Sequence, residues 1–121
     1  MKKAWLLGML LLCLSIIGCS SSNSPSGVVK DFMKYTADGK ANEAVALVSD
    51  QGQAIVTAFF PMMTAEIKKK GGIKSIDIIK EEISGDTAAV THVVKYGDGS
   101  TDEDSSKLIK QDGKWKMHVS K

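Results

Sequence analysis

The chain contains no arginine and only two cysteines, Cys13 and Cys19, both within its first nineteen residues. Without arginine the planar, bidentate fork that best grips phosphate or carboxylate is missing, which disfavours a dedicated anion site. The 16 basic residues, all lysine, stand against 14 acidic ones, and without Lys2 and Lys3 the balance is 14 to 14. A near-neutral body lacks the clustered basic face that nucleic acid rewards, so no nucleic-acid partner is expected. Beyond residue 19 there is no cysteine, no glycine-rich phosphate loop and no Gly-x-Ser-x-Gly elbow, which removes Cys–His catalysis and the familiar phosphate-binding and hydrolase signatures. Two histidines, His92 and His118, without clustered carboxylates form no metal site of recognisable spacing, and no cofactor is expected. The acidic "DGSTDED" at 98–104 has the composition of a calcium loop without its closing glutamate, and reads as a solvated hairpin turn. "KKK" at 68–70 reads as a solvated last helical turn, where lysines suit the helix dipole.

Lys2 and Lys3 are followed by fifteen uncharged residues, Ala4 to Gly18. That run is shorter than the roughly 20 apolar residues a membrane helix needs. A basic start, an apolar stretch of this length and small residues at its end are the parts of a secretory signal peptide, expected over residues 1–18. Ile16-Ile17-Gly18-Cys19 also resembles the lipobox of bacterial lipoproteins. The resemblance implies cleavage between Gly18 and Cys19 and a diacylglycerol thioether on Cys19. One acyl chain holds a protein only marginally, at about 0.8 kcal/mol per buried methylene, whereas two or three hold it stably. Cys19 has no intramolecular partner once Cys13 is removed with the leader, as suits an oxidising exported compartment. In lipoproteins of two-membrane bacteria, aspartate after the anchor resembles an inner-membrane retention signal; Ser20 here favours the outer membrane, facing the periplasm, if the organism has two membranes. Residues 19–25, rich in serine, read as a lipidated flexible tether.

Residues 26–121 then form one domain with enough length for a modest core. Its first half is helical: Val28, Val29, Phe32, Met33 and Tyr35 recur at helical spacing, with Asp38-Gly39 as a stop. A shorter helix is expected over 42–48, with Ala44, Val45, Leu47 and Val48 on its buried side. A third covers 53–72, which Pro61 should kink or split. After Gly71-Gly72 the period changes to two, with strands over 73–83, 87–97, 102–111 and 114–120. Asp112-Gly113 is a strong hairpin signal. Short connections make neighbouring strands antiparallel, giving an α+β fold with N-terminal helices packed on a four-stranded meander.

The segments "VVKDFMKYTADGKANEAVALV", "KKKGGIKSIDII", "GDTAAVTHVV" and "LIKQDGKWKM" resemble a small bacterial lipoprotein family of unknown function with the nuclear-transport-factor-2-like, or cystatin-like cone, fold. The resemblance implies a curved sheet wrapping a long helix, with a pocket at the mouth of the cone. It implies no single activity, because the fold hosts isomerases, hydrolases, transport adaptors and non-catalytic domains.

Alternation puts Ala88, Val90, His92, Val94 and Tyr96 on one face of the second strand, taken as the core side, while Asp77 points outward between Ile76 and Ile78. Trp115, Met117 and Val119 face inward on the last strand and His118 faces solvent. The "AFFPMM" at 58–63 places polarizable, flexible side chains near the mouth. The candidate ligand-binding set is therefore Phe59, Phe60, Met62, Met63, His92 and Tyr96. The reading is a non-enzymatic binding or interaction module of the cell envelope, anchored through Cys19. Its expected partners are the membrane, an apolar small molecule or a protein, and a second copy through the sheet face. The alternative is an isomerase or hydrolase with His92 as general base, which requires an open cavity holding His92 and an inward carboxylate.

Overall fold

A computed structural model describes residues 24–119. Helix α1 spans Pro25–Asp38; the Ser24 side chain caps it by accepting from Gly27 N at 3.0 Å, and proline stands at its first position. Gly39 ends it in the left-handed conformation, φ 75°. Val28, Val29, Phe32 and Thr36 bury one stripe of this helix. Helix α2, Ala41–Ala46, stops two residues before the expected end. The reason is that Val48 leaves the helix for a bridge beside Met117, with Leu47 O and Ser49 N bonded to the Met117 backbone.

Helix α3, Gln53–Lys69, follows a single 3₁₀ turn at Asp50–Gly52 and runs unbroken through Pro61. The expected split does not occur. Pro61 and Thr57, whose carbonyl loses its donor to the proline, are both exposed, so water can serve that carbonyl.

Strands β1 (Ile73–Ser84), β2 (Thr87–Tyr96), β3 (Thr101–Gln111) and β4 (Lys114–Met117) form an antiparallel meander in the order β1-β2-β3-β4. Asp112 and Gly113 both take positive φ, 55° and 79°, the paired left-handed turn that matches strand twist. Register shifts at 73/75 and 78/80 place bulges in β1, which bend a strand. The "DGSTDED" segment is not all turn. The reversal occupies Gly97–Ser100, with Asp98 Oδ1 accepting from Ser100 N and Oγ at 2.8 and 2.6 Å, and Thr101–Asp104 already belong to β3.

The core joins Val28, Val29 and Phe32 of α1 to Val56 and Phe60 of α3 and to Ala88, Val90, Leu108, Trp115 and Met117 of the sheet. Among the described residues this cluster runs from Val28 to Met117 and joins all three helices and the sheet in one core. The centre of the cone is filled. The outer sheet face presents Asp77, Lys80, Lys95, Glu103 and Lys107, all exposed, beside the half-buried Val93 and Ile109, and the exposed Ile79 stands at the β1 bulge.

The end of α3 is tied to the sheet by backbone bonds as well as by the Lys70 side chain. Gly97 N donates to Gly72 O and Asp98 N to Lys70 O, both at 2.9 Å. At this crossing the Gly97 Cα faces the Gly71 carbonyl so closely that a Cβ would overlap its oxygen.

Candidate functional site

The packing leaves an apolar groove between α3, α1 and the concave side of the sheet, with a volume of about 420 Å³. Met33 and Thr36 contribute from α1, Met62, Met63 and Ile67 from α3, and Ile73 and Val94 from the sheet. α3 packs chiefly on α1 and α2, which leaves this gap between its far end and β2. The thioether side chains give the walls a deformable, polarizable lining.

One end of the groove is polar. Lys70 Nζ lies 3.3 Å from Asp102 Oδ2, 4.0 Å from Glu66 Oε2 and 4.7 Å from the centroid of the Tyr96 ring. The Tyr96 hydroxyl donates to the same Asp102 oxygen at 3.1 Å. Burial pushes the Tyr96 phenol above its ordinary range, reinforced by its bond to Asp102 and by the Asp102 and Glu66 charges. The hydroxyl therefore remains a donor across the physiological range.

The six expected ligand residues divide. Met62, Met63 and Tyr96 line the groove. Phe59 stands on the outer side of α3, 50% exposed, whereas Phe60, four residues after the buried Val56, turns into the core. His92 faces inward on β2 but is 2% exposed and lines no part of the groove. Gly18 and Cys19 lie outside the described residues.

Sequence reading missed two inward carboxylates and one cation. Register pairs Asp102 with Val94 and Asp104 with His92, so both acids lie on the concave side of β3. Counting back by twos from the buried Leu108 reaches Ser106, Asp104 and Asp102, a signal hidden by the turn-like composition of that segment. Lys70, read with Lys68 and Lys69 as solvated, instead caps the polar end of the groove.

His92 Nε2 lies 2.9 Å from Ser106 Oγ, and Nδ1 is buried with no hydrogen-bond partner. Burial lowers the imidazole pKa below its ordinary 6.5, against the opposing pull of Asp104. A neutral ring with Nε2–H donating to Ser106 is the cheaper tautomer, since it leaves an unpaired lone pair and not an unpaired N–H in the core. The unfolded chain takes up a proton near pH 6.5 that the folded chain resists. Stability should therefore fall as pH drops from roughly 6.5 towards the folded pKa, and be unaffected by this group above that range. Urea midpoints measured from about pH 7 to 5 should drop more for the native chain than for His92→Gln; parallel curves would show that His92 is not the group.

His118, expected in solvent, is half-buried and lies 3.5 Å from Ser49 Oγ through Nδ1. Ser49 is fully buried, so this contact offers a substrate no nucleophile. A larger cleft of about 720 Å³ lies between α1 and β1, lined by Lys30, Lys34 and Lys74. These lysines are exposed or on open edges and converge on no buried polar group. Among the described residues no group of three or more His, Cys, Asp or Glu could hold a metal ion, and no helix is long and apolar enough to cross a membrane.

The helices and the antiparallel meander form an α+β domain with the NTF2-like fold. A Campylobacter jejuni protein named as an NTF2-like transpeptidase superposes with a TM-score of 0.70 at 22% identity, over 80% of this chain and 99% of that one. A SEC-C motif containing protein from Rhodopseudomonas palustris is similar at a TM-score of 0.66 and 13% identity, over 84% and 80% of the two chains. Residues 18–118 match the domain of unknown function DUF4878, and the chain belongs to that family. No curated protein matches it in sequence.

Proposed function

We propose that this protein is an exported lipoprotein, anchored to a cell membrane through Cys19, whose NTF2-like domain is a non-enzymatic binding module holding the apolar part of a small molecule. The observation that carries the binding reading is the groove itself, with apolar walls and an opening where the core around it is filled. Small-molecule sites are commonly concave, mostly apolar and supplied with a few convergent polar groups. The anchor reading rests on the run from Lys2 to Cys19.

The enzyme alternative is disfavoured by the placement of its base. His92 is enclosed and lines no part of the groove, so a substrate seated there does not meet it. The transpeptidase name of the Campylobacter jejuni protein does not bring an activity with it at that identity. The outer sheet face, with its interspersed charges, is a poor counterpart for the apolar core of a stable dimer.

The test uses a neutral fluorescent probe, N-phenyl-1-naphthylamine, with the domain from residue 20 onward. Its emission should rise on binding, and Met62→Glu, at a groove residue 64% exposed and so tolerant of change, should weaken binding about tenfold or more. No enhancement with the native domain, or equal binding by the variant, would sink the groove reading.

A further inference from the structure

Resting on that reading of the groove, we propose that its ligand is an amphiphile with a cationic, ammonium-type head, which takes the place that Lys70 occupies over Tyr96. The apolar walls select a hydrocarbon body. The polar end selects the sign of the head, because two carboxylates, Asp102 and Glu66, face a single ammonium. An anionic head would gain one lysine and meet two acids of its own sign. A cationic head gains both acids and an aromatic face.

Lys70 demonstrates the fit. Its ammonium already lies 4.7 Å from the Tyr96 centroid and 3.3 Å from Asp102 Oδ2, the distances expected for cation–π and charge-assisted contacts. The arrangement is set before any ligand arrives, since the Tyr96 hydroxyl holds Asp102 at 3.1 Å and β2 carries the ring. Lys70 itself can leave. It follows the last residue of α3, its side chain is 27% exposed, and its four-carbon stem lets the ammonium swing into water. The resident lysine thus holds the head site itself and competes with the ligand for it.

The experiment compares three soluble octyl amphiphiles below micelle formation: octyltrimethylammonium, octyl sulfate and octyl glucoside. Calorimetry on the domain from residue 20 onward gives affinities, and methyl resonances of Met33, Met62 and Met63 report occupancy of the groove. At low salt the ammonium should bind about tenfold more tightly than the sulfate, with a preference that shrinks as salt rises. Asp102→Asn, which retains an acceptor for Tyr96, should abolish the preference. Lys70→Met should tighten octyltrimethylammonium binding several-fold by removing the competitor. Equal binding of all three overturns the head assignment and leaves the apolar groove standing. Tighter sulfate binding, or weaker ammonium binding by Lys70→Met, also overturns the assignment. If none of the three binds and the methionine methyls do not move, the groove reading falls with it.

Discussion

Gly97→Ala is expected to destabilise the domain by about 2–3 kcal/mol, a fall of roughly 10–20 °C in Tm for a chain of this size. The cause is space. A Cβ at Gly97 would overlap the Gly71 carbonyl oxygen and press on the Gly71 Cα, both backbone atoms that no rotamer change can move. The same crossing carries Gly97 N to Gly72 O and Asp98 N to Lys70 O, the bonds that fasten the end of α3 to the β2–β3 turn. Relief of the overlap must lengthen them. Gly99→Ala is the control, because that site has φ +91° but nothing within 4 Å of a Cβ, and should cost only the roughly 1–2 kcal/mol of the left-handed conformation. Thermal melts of the two variants separate crowding from backbone strain; equal losses would show that the crossing has room to relax. The effect reaches the groove as well. Lys70 is one end of the strained joint and one wall of the polar end, so any Gly97→Ala protein that folds should bind groove ligands differently.

The elements that were legible in the sequence are those in which local chemistry and burial agree. α1 has a helical apolar stripe and a terminating Asp38-Gly39, both readable in the sequence, whereas its capping Ser24 and its first residue Pro25 stand in the stretch that reads as tether. The β3–β4 hairpin follows from Asp112-Gly113 between alternating runs, and the inward face of β2 follows from alternation alone. Where two local signals conflict, the tertiary contact decides. Val48 has the pattern of a helical residue but is drawn out to pair beside Met117. Pro61 signals a break, yet on an exposed face water can serve the carbonyl that it frees, which lowers the penalty that would enforce one. Thr101–Asp104 have turn composition and extend β3 because Lys95, Val94, Val93 and His92 offer them a complete partner strand. That last conflict hid the site: the acids that give the groove its polar end sit in the segment whose composition argues for solvent. Helical phase also separates Phe59 from Phe60, a distinction that an aromatic pair beside a proline cannot supply until Val56 is known to be buried.

On the proposed anchor, Cys19→Ala is expected to reduce incorporation of labelled palmitate to background and to leave a precursor that retains residues 1–18. The effect is all or none because the thioether carbon–sulfur bond requires that sulfur, and because the acylated amino terminus forms only after cleavage in front of it. Cys13→Ala is the matched control, since Cys13 stands within the uncharged run six positions upstream and has no part in the lipobox resemblance. Labelling that survives Cys19→Ala, or is lost with Cys13→Ala, would overturn the anchor. The consequence for the groove is one of distance. Because α1 begins at Pro25, only six residues, 19–24, remain as tether, and they reach at most about 22 Å when fully extended. A domain held so close to a bilayer samples amphiphiles at the membrane surface far more often than in bulk water, because tethering raises the local concentration of whatever the surface carries. An anchor at Cys19 and an amphiphile in the groove are therefore linked expectations, and a cell expressing residues 20–121 without the leader and the anchor should yield domain with less of the native occupant bound, measurable by native mass spectrometry of the purified protein.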